Sequence, residues 1–194
     1  KAAIAELQKP FLDARQIESS RAIMGLDTQL IDDGTYFIIE ARGQIAGCGG
    51  WSRRTTLYGG DQSPGRDAGL LDPQRDPARV RAMYTHPAHA RLGVGRRVLA
   101  LCEAAAKAEG FKRVELMATM AGEPLYRACG YQPIERLEDA RDALFLLDAI
   151  RGAGHLDRHP HEVTGLHVAA VHQVLRPAAP DLDVVRAHVG IEAR

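Results

Sequence analysis

Apolar residues recur along this chain with two different periods, and the switches between them mark out its elements. From Gly95 to Glu109, Val98, Leu99, Cys102, Ala105 and Ala106 fall at i, i+3 and i+4 spacing, which places them on one helical face. Gly110 follows as a stop signal. Ala78 to Thr85 alternates instead, with Val80, Ala82 and Tyr84 set against Arg79, Arg81 and Met83, which predicts a strand. His86-Pro87 ends it. Upstream, Thr35 to Glu40 and Gln44 to Ser52 read as strands joined at Arg42-Gly43, a hairpin. Gly47, Gly49 and Gly50 in the second of these point to a bulge or to another backbone passing close by. Arg113 to Ala118 is a short strand and Gly122 to Ala128 a short helix stopped by Gly130. Tyr131 to Leu137 and Ala143 to Leu147 are the expected final antiparallel strands.

Two helices are expected ahead of the hairpin: Ala2 to Gln8, and a second capped by Asp13 that runs to about Met24. Asp32-Asp33-Gly34 is a turn. Arg53 to Pro77 has no period and carries four Gly and three Pro; a loop this long within a domain usually has a function of its own. After residue 148 the composition changes. The segment 149–194 holds six of the eight His and three of the ten Pro. The expected organisation is therefore a domain over 1–148 and an extension over 149–194, without internal repeats.

Composition narrows the function classes. Apolar residues make up 45% of the 194, enough for a core, and Lys+Arg and Asp+Glu balance at 25 each. Neutral net charge gives no case for nucleic acid or an anionic membrane as partner, and no stretch approaches the roughly 20 apolar residues of a membrane helix. Cys48, Cys102 and Cys129 are too widely spaced for a CxxC metal or redox pair. They read as small buried apolar side chains of a reduced, cytoplasmic protein, with no signal peptide at the start. In the extension, His155, His159, His161 and His167 raise a metal reading, but Pro160 breaks the helix that would align the first two, and no metal is expected.

The chemistry lies in Arg91-Leu92-Gly93-Val94-Gly95-Arg96-Arg97, which joins the strand to the long helix. Gly93 and Gly95 allow the backbone N–H groups to turn toward one point with no Cβ in the way. The helix that follows adds its unpaired N–H donors and the positive end of its dipole. Such a nest binds phosphate oxygens. It is neither a Walker A loop, because no Gly-Lys-Ser/Thr follows, nor a dinucleotide fingerprint, because GxGxxG fails at Val98.

This stretch resembles the phosphate loop of the GNAT family of N-acetyltransferases, Gln/Arg-x-x-Gly-x-Gly/Ala between a strand and a long helix. Gly93 and Gly95 match it, Arg91 and Arg96 stand where basic residues are common, and Ala90 departs from the usual Gln/Arg. Leu125-Tyr126-Arg127-Ala128-Cys129-Gly130-Tyr131 is similar to the family's Leu-Tyr-x-x-x-Gly-Phe/Tyr segment. The resemblance covers roughly Thr35 to Leu147, with the family's first strand absent before Lys1.

The resemblance implies an α+β (α/β-type) fold: a mixed, mostly antiparallel central sheet flanked by helices, with a splayed pair of parallel strands, Ala78–Thr85 and Arg113–Ala118, that holds acetyl-CoA. It implies that the pantetheine arm pairs with the backbone of Met83, Tyr84 and Thr85, one of whose N–H groups polarises the thioester carbonyl. The pyrophosphate is expected on Arg91, Leu92, Gly93, Val94, Gly95 and Arg96. Tyr126 matches the acid that protonates the leaving thiolate, and Thr119 stands near the family's Asn that contacts pantetheine. The strand before the loop lacks the family's usual Glu base, which leaves Glu40, Tyr84, His86 or a water chain. Trp51 and Arg53-Arg54 bear on the acceptor pocket or belong to core and surface. The implied reaction is acetyl transfer to a primary amine, carried by a small molecule or a protein; a homodimer is left open. The alternative is a non-catalytic CoA-binding sensor or partner-binding module with the same fold.

Overall fold

The computed structural model describes residues 1–137, 147–153 and 167–170, the last two segments as strands. Helix α1 covers Ala2–Leu7 and α2 covers Ala14–Ser20. The start of α2 is a capping box: Asp13 Oδ1 accepts from the Gln16 N–H at 2.7 Å, and Gln16 Oε1 accepts from the Asp13 N–H at 3.0 Å. This helix ends before the expected Met24, because the Ser20 hydroxyl bonds back to the Ile17 carbonyl at 2.7 Å and the chain continues in turns. A short α3, Thr28–Asp32, follows where no element was read from the sequence, and it leads into the expected turn at Asp33-Gly34.

The hairpin strands are β1, Tyr36–Ala41, and β2, Gln44–Ser52. Arg42 and Gly43 both take positive φ, 53° and 75°, as a two-residue turn between twisted strands requires. Strand β3 spans Ala78–Thr85, α4 Val94–Ala108, β4 Arg113–Ala118 and α5 Glu123–Ala128. Then come β5, Gln132–Leu137, β6, Leu147–Ala153, and β7, His167–Ala170. They form one sheet in the order β5-β6-β4-β3-β2-β1-β7, and among the described pairs only β3 and β4 run parallel. A parallel neighbour requires a crossover, which α4 supplies. The fold is the mixed, mostly antiparallel sheet flanked by helices.

Of the strand expected over Ala143 to Leu147, only Leu147 is among the described residues; it begins β6, Leu147–Ala153, which inserts between β4 and β5. A further strand from the predicted extension, β7, pairs antiparallel with β1. Residues 143–146 of the expected strand, like His155, His159 and His161, lie outside the described residues. Among the described residues no helix is long and apolar enough to cross a membrane.

The main core lies between α4 and the sheet, with Val94, Val98, Leu99, Cys102 and Ala106 packed over Ile39, Ala46, Trp51, Val80 and Leu116. The β2 glycines are what bring α4 this close. A Cβ on Gly47 would sit 2.5 Å from Val94 Cγ1, and one on Gly49 2.8 Å from Val98 Cγ1. Val94 and Val98 are one helical turn apart, so the two glycines seat the first turn of α4 against the sheet. A smaller cluster, Leu30, Ile31 and Tyr36, is joined by Cys48 and Ala82. The Arg53–Pro77 loop is not structureless: Arg54 holds Asp33 with two bonds of 2.7 Å, and Arg54 bridges to Leu70.

Candidate functional site

Two irregularities in β3 create the site. The β2–β3 register passes from Cys48↔Tyr84 to Gly50↔Arg81, two steps on β2 against three on β3. The extra residue is Ala82, which takes φ 51°, a bulge in the left-handed region. The bulge breaks the alternation read from the sequence: Arg81, assigned to the polar face, is only 4% exposed. On the other edge, β3 pairs with β4 only through Val80↔Leu116, although β3 continues to Thr85 and β4 to Ala118. Past that point the strands part.

The gap between them opens on two sides. Met83, Tyr84 and Thr85 line the wider opening, as do Thr119 and Tyr126. Arg91, Gly93, Val94, Gly95 and Arg96 of the loop complete it. Leu92 is 59% exposed and does not line it, because the turn carries its side chain outward. The narrower opening is lined by Leu57, Tyr58, Val80, Arg81 and Met117, and shares Met24, Met83, Tyr84, Thr119, Gly122 and Tyr126 with the wider one. The two openings therefore meet at those six residues.

The loop has the form of an anion nest. Arg91 at φ 64° and Gly93 at φ 83° both adopt the left-handed conformation, at a cost of about 1–2 kcal/mol for the non-glycine residue. The sequence reading assigned that freedom to glycine alone. Strain of this kind concentrates where a loop has a task. Helix α4 has no side-chain cap, and the first backbone bond into it runs from the Arg97 N–H to the Gly93 carbonyl at 3.0 Å. The N–H groups of Val94, Gly95 and Arg96 are thus left to a ligand or to water. A Cβ on Gly95 would approach Leu125 Cδ2 to 2.8 Å, so the loop also packs tightly onto α5.

Tyr126 is 7% exposed, and its hydroxyl donates to the Met83 thioether at 3.7 Å, a weak acceptor. Burial pushes its phenol above the ordinary value, with nearby Cys102 and Cys129 adding to the shift. It therefore stays protonated and holds its proton against only a weak competitor. Thr119 closes the turn ahead of α5: its Oγ1 accepts from the Gly122 N–H at 3.2 Å.

The residues considered for a base are otherwise engaged. The Tyr84 hydroxyl donates to the Gly25 carbonyl at 3.1 Å and accepts from the Gly25 N–H at 3.0 Å, and burial raises its pKa to about 12. His86 Nδ1 accepts from the Ala88 N–H at 3.2 Å and so caps the turn Pro87–His89. Glu40 sits at the hairpin end of β1 and lines neither opening. Trp51 is a core residue, 2% exposed and edge-on to Phe111 at 5.9 Å. Arg53 pairs with Glu109 at 2.8 Å and Arg54 with Asp33, so neither side chain is free to attract an acceptor.

The sequence reading missed the buried ion cluster beneath the narrower opening. Asp27 is fully buried and bonds to both Arg81 and Arg66, the latter at 2.8 Å. Arg81 also donates to the Thr56 and Gly59 carbonyls, each at 3.2 Å. The cluster ties the start of α3 and the 53–77 loop to β3 immediately before its bulge. No local pattern signals it, since the partners lie 54 and 39 residues apart.

The acetyltransferase (GNAT) family model matches residues 1–131, and the chain belongs to this family. No curated protein matches it in sequence. Solved structures share the fold. The GCN5-related N-acetyltransferase of Rhodopseudomonas palustris aligns with TM-score 0.54 at 17% identity, over 78% of this chain and 83% of that one. The PaiA N-acetyltransferase of Thermoplasma acidophilum, solved in complex with coenzyme A, aligns with TM-score 0.51 at 11% identity, over 78% and 86%.

Proposed function

We propose that this protein transfers an acetyl group from acetyl-CoA to a primary amine by direct attack within a ternary complex. The observation that carries the proposal is the meeting of the two openings at Met83, Tyr84 and Tyr126, under a backbone nest and beside an unpaired strand edge. The donor enters through the wider opening and the amine through the narrower one, whose Leu57, Tyr58, Val80 and Met117 suit an amine on an apolar body.

Residues fit each part of the donor. The nest at Arg91 to Arg96 offers converging N–H groups and positive charge to a pyrophosphate. The free edge of β3 beyond Val80 offers main-chain groups to an extended, amide-bearing arm, as a sheet edge does for an added strand. Bound there, acetyl-CoA supplies a thioester carbonyl as electrophile and a thiolate as leaving group. A backbone N–H among Met83, Tyr84 and Thr85 stabilises the negative charge that develops on the carbonyl oxygen. The amine nitrogen forms the new C–N bond as the C–S bond breaks, and the Tyr126 Oη passes its proton to the departing sulfur. The surplus amine proton leaves through water, since Glu40, Tyr84 and His86 are placed or bonded elsewhere, and water returns a proton to the Tyr126 phenolate, so that no net proton is lost.

Calorimetric titration with acetyl-CoA, followed by mass spectrometry of a broad amine panel, tests this. Binding with formation of an N-acetyl product and free thiol is the expected result. Absence of binding sinks the reading, and tight binding with no product from any amine replaces it with a CoA-binding module.

A further inference from the structure

Sulfur and aromatic side chains concentrate at the narrower opening. Three of the four Met in the chain line it, Met24, Met83 and Met117, together with three of the five Tyr, Tyr58, Tyr84 and Tyr126. The three Met are half-buried and Tyr58 is 45% exposed, so they keep surface that a guest can cover. Ile23 and Leu57, also half-buried, add aliphatic wall. A thioether is polarisable and packs favourably at the edge of an aromatic ring, and Tyr packs well against a second ring.

Free charge is missing from this wall. Among the described residues no Asp or Glu lines either opening, so an ammonium group finds no carboxylate there. Arg81 is the one charged residue among those described at the narrower opening, and its guanidinium is spent inside the protein, on Asp27 and on the Thr56 and Gly59 carbonyls. Its side chain is 1% exposed and has no face to offer a carboxylate. The Tyr84 hydroxyl is likewise spent, on both backbone groups of Gly25. A second charge on the acceptor would lose its water here and gain no partner.

The space is small and its wall is fixed. The narrower opening holds about 130 Å³, against about 580 Å³ for the wider one. A dry protein cavity of roughly 150 Å³ takes up one benzene ring. The Ile23 carbonyl accepts from the Gly60 N–H at 2.7 Å and from the Ser63 hydroxyl at 3.0 Å, while Tyr84 holds Gly25, so the segment 23–25 is set before a guest arrives.

We infer that the acceptor is an arylalkyl monoamine, a primary amine on a short linker from a single uncharged aromatic ring, and that amino acids and polyamines are turned away. The inference names the substrate class of the acyl-transfer reading and rests on it. Selection works by exclusion as much as by fit, because the opening rewards apolar surface and offers nothing to a second charge.

The test measures kcat/KM at saturating acetyl-CoA by thiol release, with the N-acetyl product identified by mass spectrometry. The amines are phenethylamine, phenylalanine, butylamine, putrescine and a lysine-containing peptide. Phenylalanine is phenethylamine with a carboxylate added, and putrescine is butylamine with a second amine. Each added charge should lower kcat/KM about a hundredfold, the scale of a charged group desolvated without a partner. Phenethylamine should exceed butylamine at least about tenfold through the extra apolar surface covered, and should exceed the peptide as well. In Met117→Glu the new carboxylate should raise putrescine relative to butylamine at least about tenfold. Turnover of phenylalanine, putrescine, butylamine or the peptide equal to that of phenethylamine overturns the inference and leaves acyl transfer standing. So does an unchanged putrescine-to-butylamine ratio in a Met117→Glu protein that still binds coenzyme A. A wild-type protein that binds coenzyme A and acetylates no amine refutes the acyl-transfer reading, and this inference with it.

Discussion

The loop end of the wider opening is lined by Arg91, Gly93, Val94, Gly95 and Arg96, near neighbours in sequence whose backbone turns toward it. The narrower opening is held by Arg81, Asp27 and Arg66, drawn from three distant places in the chain and joined by side chains. The first needs only two left-handed residues and an uncapped helix; nearly any side chain without bulk or negative charge serves at its other positions. The second needs each of its charges, because Asp27 has no contact with water to compensate for a lost partner. A backbone site tolerates substitution and fails mainly by steric or electrostatic blockade. A side-chain cluster fails by unfolding. The two walls of one cleft should therefore respond to mutation in different measurements.

The largest effect is expected on the side-chain wall. Asp27→Asn leaves the Arg81 and Arg66 guanidinium groups buried without their shared anion and should cost about 3–5 kcal/mol of stability. Against the usual total of about 5–15 kcal/mol, that is a large drop in melting temperature. A shift of only a degree or two in a calorimetric scan would mean that the cluster does not anchor β3.

The backbone wall should show the opposite signature. Gly93→Glu places a carboxylate in the nest and should weaken coenzyme A binding more than about a hundredfold by charge repulsion and blockade. Gly93→Ala carries only the strain of a Cβ at φ 83°, and its loss should stay near tenfold. Titration calorimetry reads both. If the two variants bind equally well, phosphate is not held there.

The remaining effect lies where the walls meet. Tyr126→Phe should reduce kcat about a hundredfold, near the low end for a positioned acid because a thiolate is a good leaving group, with coenzyme A affinity almost unchanged. The sign of the pKa shift gives a second check. Burial raises the phenol above its ordinary 10.0, so the proton-donating form is complete at neutral pH and lost only as pH rises through that elevated value. The kcat profile should accordingly show no alkaline fall from Tyr126 below pH 10. Wild-type turnover in the Phe variant would remove Tyr126 as the acid.

Along the chain, the features legible without a structure were those set by neighbours in sequence. The hairpin turn at Arg42-Gly43, the extent of β3, the apolar face of α4, the stops at Gly110 and Gly130 and the left-handed turn at Gly93 all follow from local rules, and the structure places them at or within a residue or two of expectation. Gly47 and Gly49 were legible as marks of a close approach, but not as the seats of Val94 and Val98. The bulge at Ala82, the burial of Arg81 by Asp27, the engagement of Tyr84 by Gly25 and the unpaired oxygen of Gln8 were not legible at all. Periodicity and turn chemistry depend on φ, ψ and the next few residues, so the sequence alone located most of the elements and the glycine turn ahead of α4. Burial, pairing and the loss of a pairing partner depend on residues tens of positions away. Only the folded chain, with solvent excluded around Asp27 and Gln8, decided which polar groups are buried and which of those find a partner.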